Sequence, residues 1–88
     1  MKNSMAMNLK VKYFVPFDQL MGKTESLQLP DGATVQDLLT LLGQKYTGFN
    51  LASREHYLVI LLNGAICTQN AQLSGGDEIS ILTPQLGG

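Results

Sequence analysis

One stretch decides what this chain can fold into. Val35, Leu38, Leu39 and Leu42 recur at i, i+3, i+4 and i+7, which puts them on a single face of a helix. The residues before them supply the start. Pro30-Asp31-Gly32 is a turn signal, and Thr34-Val35-Gln36-Asp37 has the form of a capping box. In such a box the Thr34 hydroxyl takes an orphan amide of the first turn, and Asp37 brings negative charge to the positive helix end. Lys45 suits the last turn, and Gly48 is the expected stop just beyond it. A helix with one apolar stripe needs a surface to cover. The flanking segments alternate with the period of strands, so that surface is predicted to be a sheet.

In residues 8–15, Leu9, Val11, Tyr13 and Val15 fall on one face and Asn8, Lys10, Lys12 and Phe14 on the other, the pattern of a half-buried strand ended by Pro16. Phe14 is the odd member of the polar face. Residues 17–22 suit a turn or short helix, with Gly22 permitting a sharp reversal. Residues 24–29 alternate again, Leu27 and Leu29 on one side, and read as a second strand hairpinned to the first.

Beyond the helix, residues 49–56 show no period and read as loop, whereas the aliphatic run 57–62 reads as a strand buried on both faces. Asn63-Gly64 is the strongest hairpin signal in the chain and should return it into residues 66–68. Residues 70–76 are turn-rich, with Leu73 as a plug into the core, and Gly75-Gly76-Asp77 leads into a last strand, residues 78–82. The expected architecture is α+β: a mixed sheet of four to five strands packed on one helix. Leu38, Leu39, Leu42, Val59, Leu61, Ile79 and Ile81 are the expected core. Residues 1–7, polar and small, read as a disordered extension, residues 8–83 as the domain and residues 84–88 as a flexible tail.

Pro84 cannot donate to a ladder, so the chain should leave the fold there and run to Gly87-Gly88. Two terminal glycines arise by chance in about one chain in 200. What they offer is an unhindered carboxylate on a chain thin enough for a narrow active site.

At 88 residues and a formal charge of −1, there is room for one small core and no basic excess for a nucleic-acid backbone. The apolar run 57–62 is far below the roughly 20 residues that cross a bilayer. Cys67 is the only cysteine, which excludes an internal disulfide and fits a reducing, cytoplasmic setting. His56 and Cys67 fall short of a four-ligand metal site, so no metal is expected. Asp77 and Glu78 are adjacent on a strand and face opposite sides, so they do not form an acid/base pair. Gly75-Gly76 lacks the Lys and helix of a phosphate loop. No catalytic machinery is legible apart from the tail.

The Pro30-Asp31-Gly32 turn with its helix, the Asn63-Gly64 turn, the Gly76-Asp77-Glu78-Ile79 step and the Pro-x-x-Gly-Gly ending together resemble the ubiquitin-like β-grasp sulfur carriers. The likeness is closest to the small subunit of molybdopterin synthase and spans about residues 9–88. Where that family often has two prolines before the tail, Thr83 holds the first position, which should loosen the exit of the tail.

The resemblance implies that the Gly88 carboxylate is adenylated with ATP by an E1-like adenylyltransferase and then receives sulfur from a persulfide protein as a thiocarboxylate. Gly87 keeps the approach open. The sulfur would pass to a pterin precursor in the large subunit of molybdopterin synthase, which would supply the catalytic side chains; no cofactor is bound by the carrier itself, and neither nucleic acid nor membrane is a partner. By position in the motifs, the family's apolar docking residues fall on Phe14, Ile66 and Leu82, with Leu86 in the tail. Other readings are a thiamine-type or other biosynthetic sulfur carrier, a protein modifier that joins Gly88 to lysines, and a plain binding module with an incidental tail.

Overall fold

A computed structural model of the chain describes residues 6–50 and 57–84. The elements run β1 (Ala6–Tyr13), α1 (Phe17–Met21), β2 (Thr24–Pro30), α2 (Val35–Lys45), β3 (Val59–Leu62), β4 (Ala65–Ile66) and β5 (Glu78–Leu82). The five strands form one sheet in the order β2-β1-β5-β3-β4. β1 and β5 are parallel and every other neighbour is antiparallel, so the sheet is mixed. One face carries α2 and the core. The other is open.

Helix α2 starts as its sequence dictates. Asp37 N–H donates to the Thr34 hydroxyl oxygen at 3.3 Å and Thr34 N–H donates back to the Asp37 carboxylate at 2.9 Å. Val35, Leu38, Leu39 and Leu42 are buried against Leu9, Val11, Ile79 and Ile81. Leu73 is buried as the expected plug.

Four expectations need correction. Strand β1 begins at Ala6 and Met7 is buried, so residues 6 and 7 belong to the sheet and not to a disordered extension; residues 1–5 lie outside the described residues. Val15 is 52% exposed, because the chain leaves the ladder after Tyr13 and Phe17, from α1, takes the buried place instead. Gly48 is not the helix stop. Tyr46 caps α2, its N–H donating to Leu42 O, and residues 47–50 are helical, although residues 49 and 50 were expected to open a loop. A Cβ on Gly48 would come within 3.1 Å of a Leu20 methyl, so the glycine is there for the close approach of α1. Phe49 then packs on Phe17 with ring centroids 5.6 Å apart. The rest of the expected loop, residues 51–56, lies outside the described residues.

The fourth correction concerns β3. It is not buried on both faces: Ile60 faces the core while Val59 and Leu61 are half-buried on the open face. Pairing explains this. Asn63 (φ 52) and Gly64 (φ 88) make a two-residue turn that sets Leu61 opposite Ile66, and Ile66 is 78% exposed.

A polar clasp closes one end of the layers. The mostly buried Glu25 carboxylate on β2 accepts from the Tyr13 hydroxyl at 2.8 Å and the Tyr46 hydroxyl at 2.7 Å, and pairs with the Lys45 ammonium at the end of α2. Burial pushes the carboxyl upward, but the bonds from Lys45, Tyr46 and Tyr13 outweigh it and hold Glu25 below the ordinary carboxylate range. A group lowered in this way stabilises the fold above its unfolded value, and that contribution is lost as the pH falls through the folded one. Glu25→Gln is therefore expected to cost about 1 kcal/mol at neutral pH. Thermal midpoints followed from about pH 6 to about pH 3 should fall more steeply for the wild type than for Glu25→Gln. Parallel curves would deny Glu25 this role.

Candidate functional site

The open face divides into two halves. Along one half Lys10, Lys12 and Glu78 project, with Lys12 Nζ 2.7 Å from the Glu78 carboxylate. Beside Lys12, the Glu78 carboxyl lies below its ordinary range. The other half is apolar. The register places Phe14 just past the Tyr13↔Ile81 rung and therefore level with Leu82; Leu82 is opposite Val59, and Leu61 is opposite Ile66. An apolar band thus crosses from the end of β1 through β5 and β3 to β4, with Phe14 47% and Ile66 78% exposed. Cross-strand neighbours on one face lie about 5 Å apart, so the band is continuous.

Phe14, Leu82 and Ile66 are brought to one face as expected. The structure adds Val59 and Leu61, which the sequence reading put in the core. The signal was present: a two-residue turn at Asn63-Gly64 obliges Leu61 to share the face of Ile66.

Backbone bonds fix the band at its ends. Phe14 N–H donates to Ile81 O at 3.0 Å, and Phe14 O accepts from the Phe17 and Asp18 amides that open α1. Asn63 accepts from Glu78 N–H at 2.9 Å and donates to the Asp77 carboxylate at 3.0 Å, which ties the β3–β4 turn to the start of β5. Asp77 also accepts from Ser74 N–H at 2.7 Å. The two adjacent carboxylates thus have separate tasks.

Leu82 ends β5, and Thr83 and Pro84 follow. Thr83, at this exit, is buried, and its hydroxyl donates to Val15 O at 3.4 Å. Leu86, Gly87 and Gly88 lie outside the described residues. Chain geometry still limits them, since the six residues that follow Leu82 span at most about 22 Å. Whatever acts on Gly88 must therefore sit within that distance of the band.

Cys67 is half-buried beside the core, and burial pushes its thiol up, which leaves it little thiolate to react. His56 lies outside the described residues. Among the described residues no cluster of three His, Cys, Asp or Glu side chains could hold a metal, and no helix is long and apolar enough to cross a membrane.

A mixed sheet in the order β2-β1-β5-β3-β4 covered by helix α2 defines the ubiquitin-like β-grasp fold. The ThiS family model matches residues 11–88, and the chain belongs to that family of ubiquitin-like sulfur carriers. No curated protein matches significantly. Among solved structures, one similar chain is a Pyrococcus furiosus protein assigned as molybdopterin converting factor, subunit 1. It is 28% identical with a TM-score of 0.77, covering 90% of this chain and 99% of that one. A second is the small archaeal modifier protein 1 of Methanosarcina acetivorans, 27% identical with a TM-score of 0.70, covering 96% and 99%. A third comes from the complex of subunits 1 and 2 of the Helicobacter pylori molybdopterin-converting factor, 26% identical with a TM-score of 0.64, covering 93% and 100%.

Proposed function

We propose that the chain is the small, sulfur-carrying subunit of a molybdopterin synthase. The observation that carries the reading is the apolar band that ends at Leu82, the last strand residue before the Gly-Gly tail. A partner that covers the band has Gly88 within reach.

The chemistry follows from the carboxylate. An α-carboxyl group is ionised at neutral pH, and a carboxylate is a poor electrophile as it stands. Within an E1-like adenylyltransferase its oxygen attacks the α-phosphate of ATP, pyrophosphate leaves, and an acyl-adenylate results. The terminal sulfur of a persulfide protein then attacks the acyl carbon and AMP departs. In the acyl disulfide so formed, a second thiol of the donor attacks the donor's own sulfur, the S–S bond brought from the persulfide breaks, a disulfide is left on the donor, and the thiocarboxylate departs. Docked on the second subunit by the same band, the carrier gives its sulfur to a pterin precursor and returns as the carboxylate. The likeness to two molybdopterin converting factor subunits supports this acceptor over a thiamine precursor.

The test is intact-protein mass spectrometry after incubation with ATP, activating enzyme and persulfide donor. Exchange of one oxygen for one sulfur, located on Gly88, is expected; an unshifted chain overturns the reading. A second reading, attachment of Gly88 to lysine amines of other proteins, is supported by the likeness to the archaeal modifier. It uses the same adenylate with a different nucleophile, and heavier conjugates would reveal it.

The band makes its own prediction. Phe14→Ala and Leu82→Ala should each weaken binding to both partners about 30-fold, a hot-spot effect of about 2 kcal/mol, with little change in thermal midpoint. Equal affinities of variant and wild type in a calorimetric titration would remove that residue from the contact.

A further inference from the structure

Thr83 is the one buried polar residue among those described, 9% exposed, and it stands where the tail begins. Ile79 and Ile81 face the core and Thr83 is the next residue of the same parity, so the inward row of β5 continues one step past the strand. A valine would fill such a place as well as a threonine. What the threonine adds is a hydroxyl, and that hydroxyl donates to Val15 O in the turn that leads from β1 into α1. The turn is a firm anchor, since its preceding residue, Phe14, is bonded to both β5 and α1.

We infer that Thr83 is a positioning residue for the tail, fixing the point and direction at which the chain leaves the sheet relative to Phe14 and Leu82. Two neighbours reinforce it. Pro84 has its own φ locked by its ring and biases Thr83 toward extended backbone. With the Thr83 side chain also held, the first two links of the tail carry little freedom. A partner that must seat the apolar band and Gly88 together then spends less entropy in ordering the tail. The inference rests on the proposed adenylation of Gly88 for its consequence, and on the Thr83–Val15 contact alone for its physical content.

Thr83→Val removes the hydroxyl and keeps the shape; Thr83→Ser keeps the hydroxyl. Thr83→Val exchanges one long hydrogen bond for a methyl and Thr83→Ser gives up one methyl at a 9% exposed position, so each variant should stay folded, with a midpoint within about 8 °C of the wild type. In ATP–pyrophosphate exchange with the activating enzyme, Thr83→Val is expected to lower kcat/KM about fivefold, equivalent to about 1 kcal/mol, chiefly through KM. Thr83→Ser should stay near the wild type. Relaxation measurements on the full chain should show greater motion of the Gln85 amide in Thr83→Val than in the other two. An unchanged Gln85 amide in Thr83→Val, or equal losses of activity in both variants, would overturn the inference. A wild-type chain that supports no exchange would sink the adenylation reading instead, and the Gln85 amide would still decide the role of Thr83.

Discussion

Deleting Gly88 should abolish adenylation while leaving the fold as stable as that of the full chain. The two halves of this result have separate causes. The buried residues of the described core run from Met7 to Thr83, and every strand of the sheet ends by Leu82. Loss of a residue beyond them removes no described packing, and a change in thermal midpoint of more than about 2 °C is not expected. The shortened chain still ends in a glycine carboxylate. That carboxylate, however, reaches about 3.5 Å less far from the band when Leu82 is seated. A misplacement of even 1 Å at a reacting centre can cost about 100-fold, so the loss should be at least that large. Gly87→Val should act alike for a different reason: a β-branched side chain thickens the neck that a narrow channel must admit. ATP–pyrophosphate exchange and a melting curve on the same samples separate the two effects. If the chain without Gly88 exchanges pyrophosphate as fast as the full chain, the tail is not the substrate.

Local rules wrote much of this architecture into the sequence. The Thr34–Asp37 cap, the Asn63-Gly64 turn and the alternation through Leu9, Val11 and Tyr13 each depend on residues within a few positions of one another, and each was realised. The run Val59–Leu62 was different, because four consecutive aliphatic residues have no period and either parity could face the helix. Only the turn that follows resolves the choice, by pairing Leu61 with Ile66. Two outward residues were hidden in an apparently buried strand for that reason. Gly48 was misread because glycine serves both as a helix stop and as room for a neighbour, and Leu20, the neighbour, is 28 residues away. The Glu25 clasp was not legible at all. Its partners Tyr13, Lys45 and Tyr46 lie 12 to 21 positions from it and meet only once β1, β2 and α2 are assembled. The Thr83 contact spans 68 positions.

Leu42→Ala and Leu38→Ala should be the most damaging substitutions in the helix. Both side chains are fully buried, and a leucine truncated in such a place costs about 2 to 5 kcal/mol, the lost transfer energy plus that of the void left behind. An 88-residue domain has about 5 to 10 kcal/mol in all. A loss near 3 kcal/mol would lower the thermal midpoint by about 15 °C, and a loss at the upper end would leave a folded state barely favoured at room temperature. Leu39 differs in its surroundings. It is 8% exposed and lies on the rim of an open groove of about 490 Å³ shared with Phe49, Asn50 and Leu58. A void at its position adjoins water and need not stay empty, so Leu39→Ala should fall at the low end, about 2 kcal/mol. Gln44→Ala, on the exposed side of the same helix, should lie within about 0.5 kcal/mol of the wild type and serves as the reference. Chemical denaturation of the four variants at constant slope would rank them Leu42 and Leu38 first, then Leu39, then Gln44. A Leu39 variant that loses more than the Leu42 variant would mean that the centre of the helix–sheet contact lies nearer residues 47–50 than the β1–β5 pair.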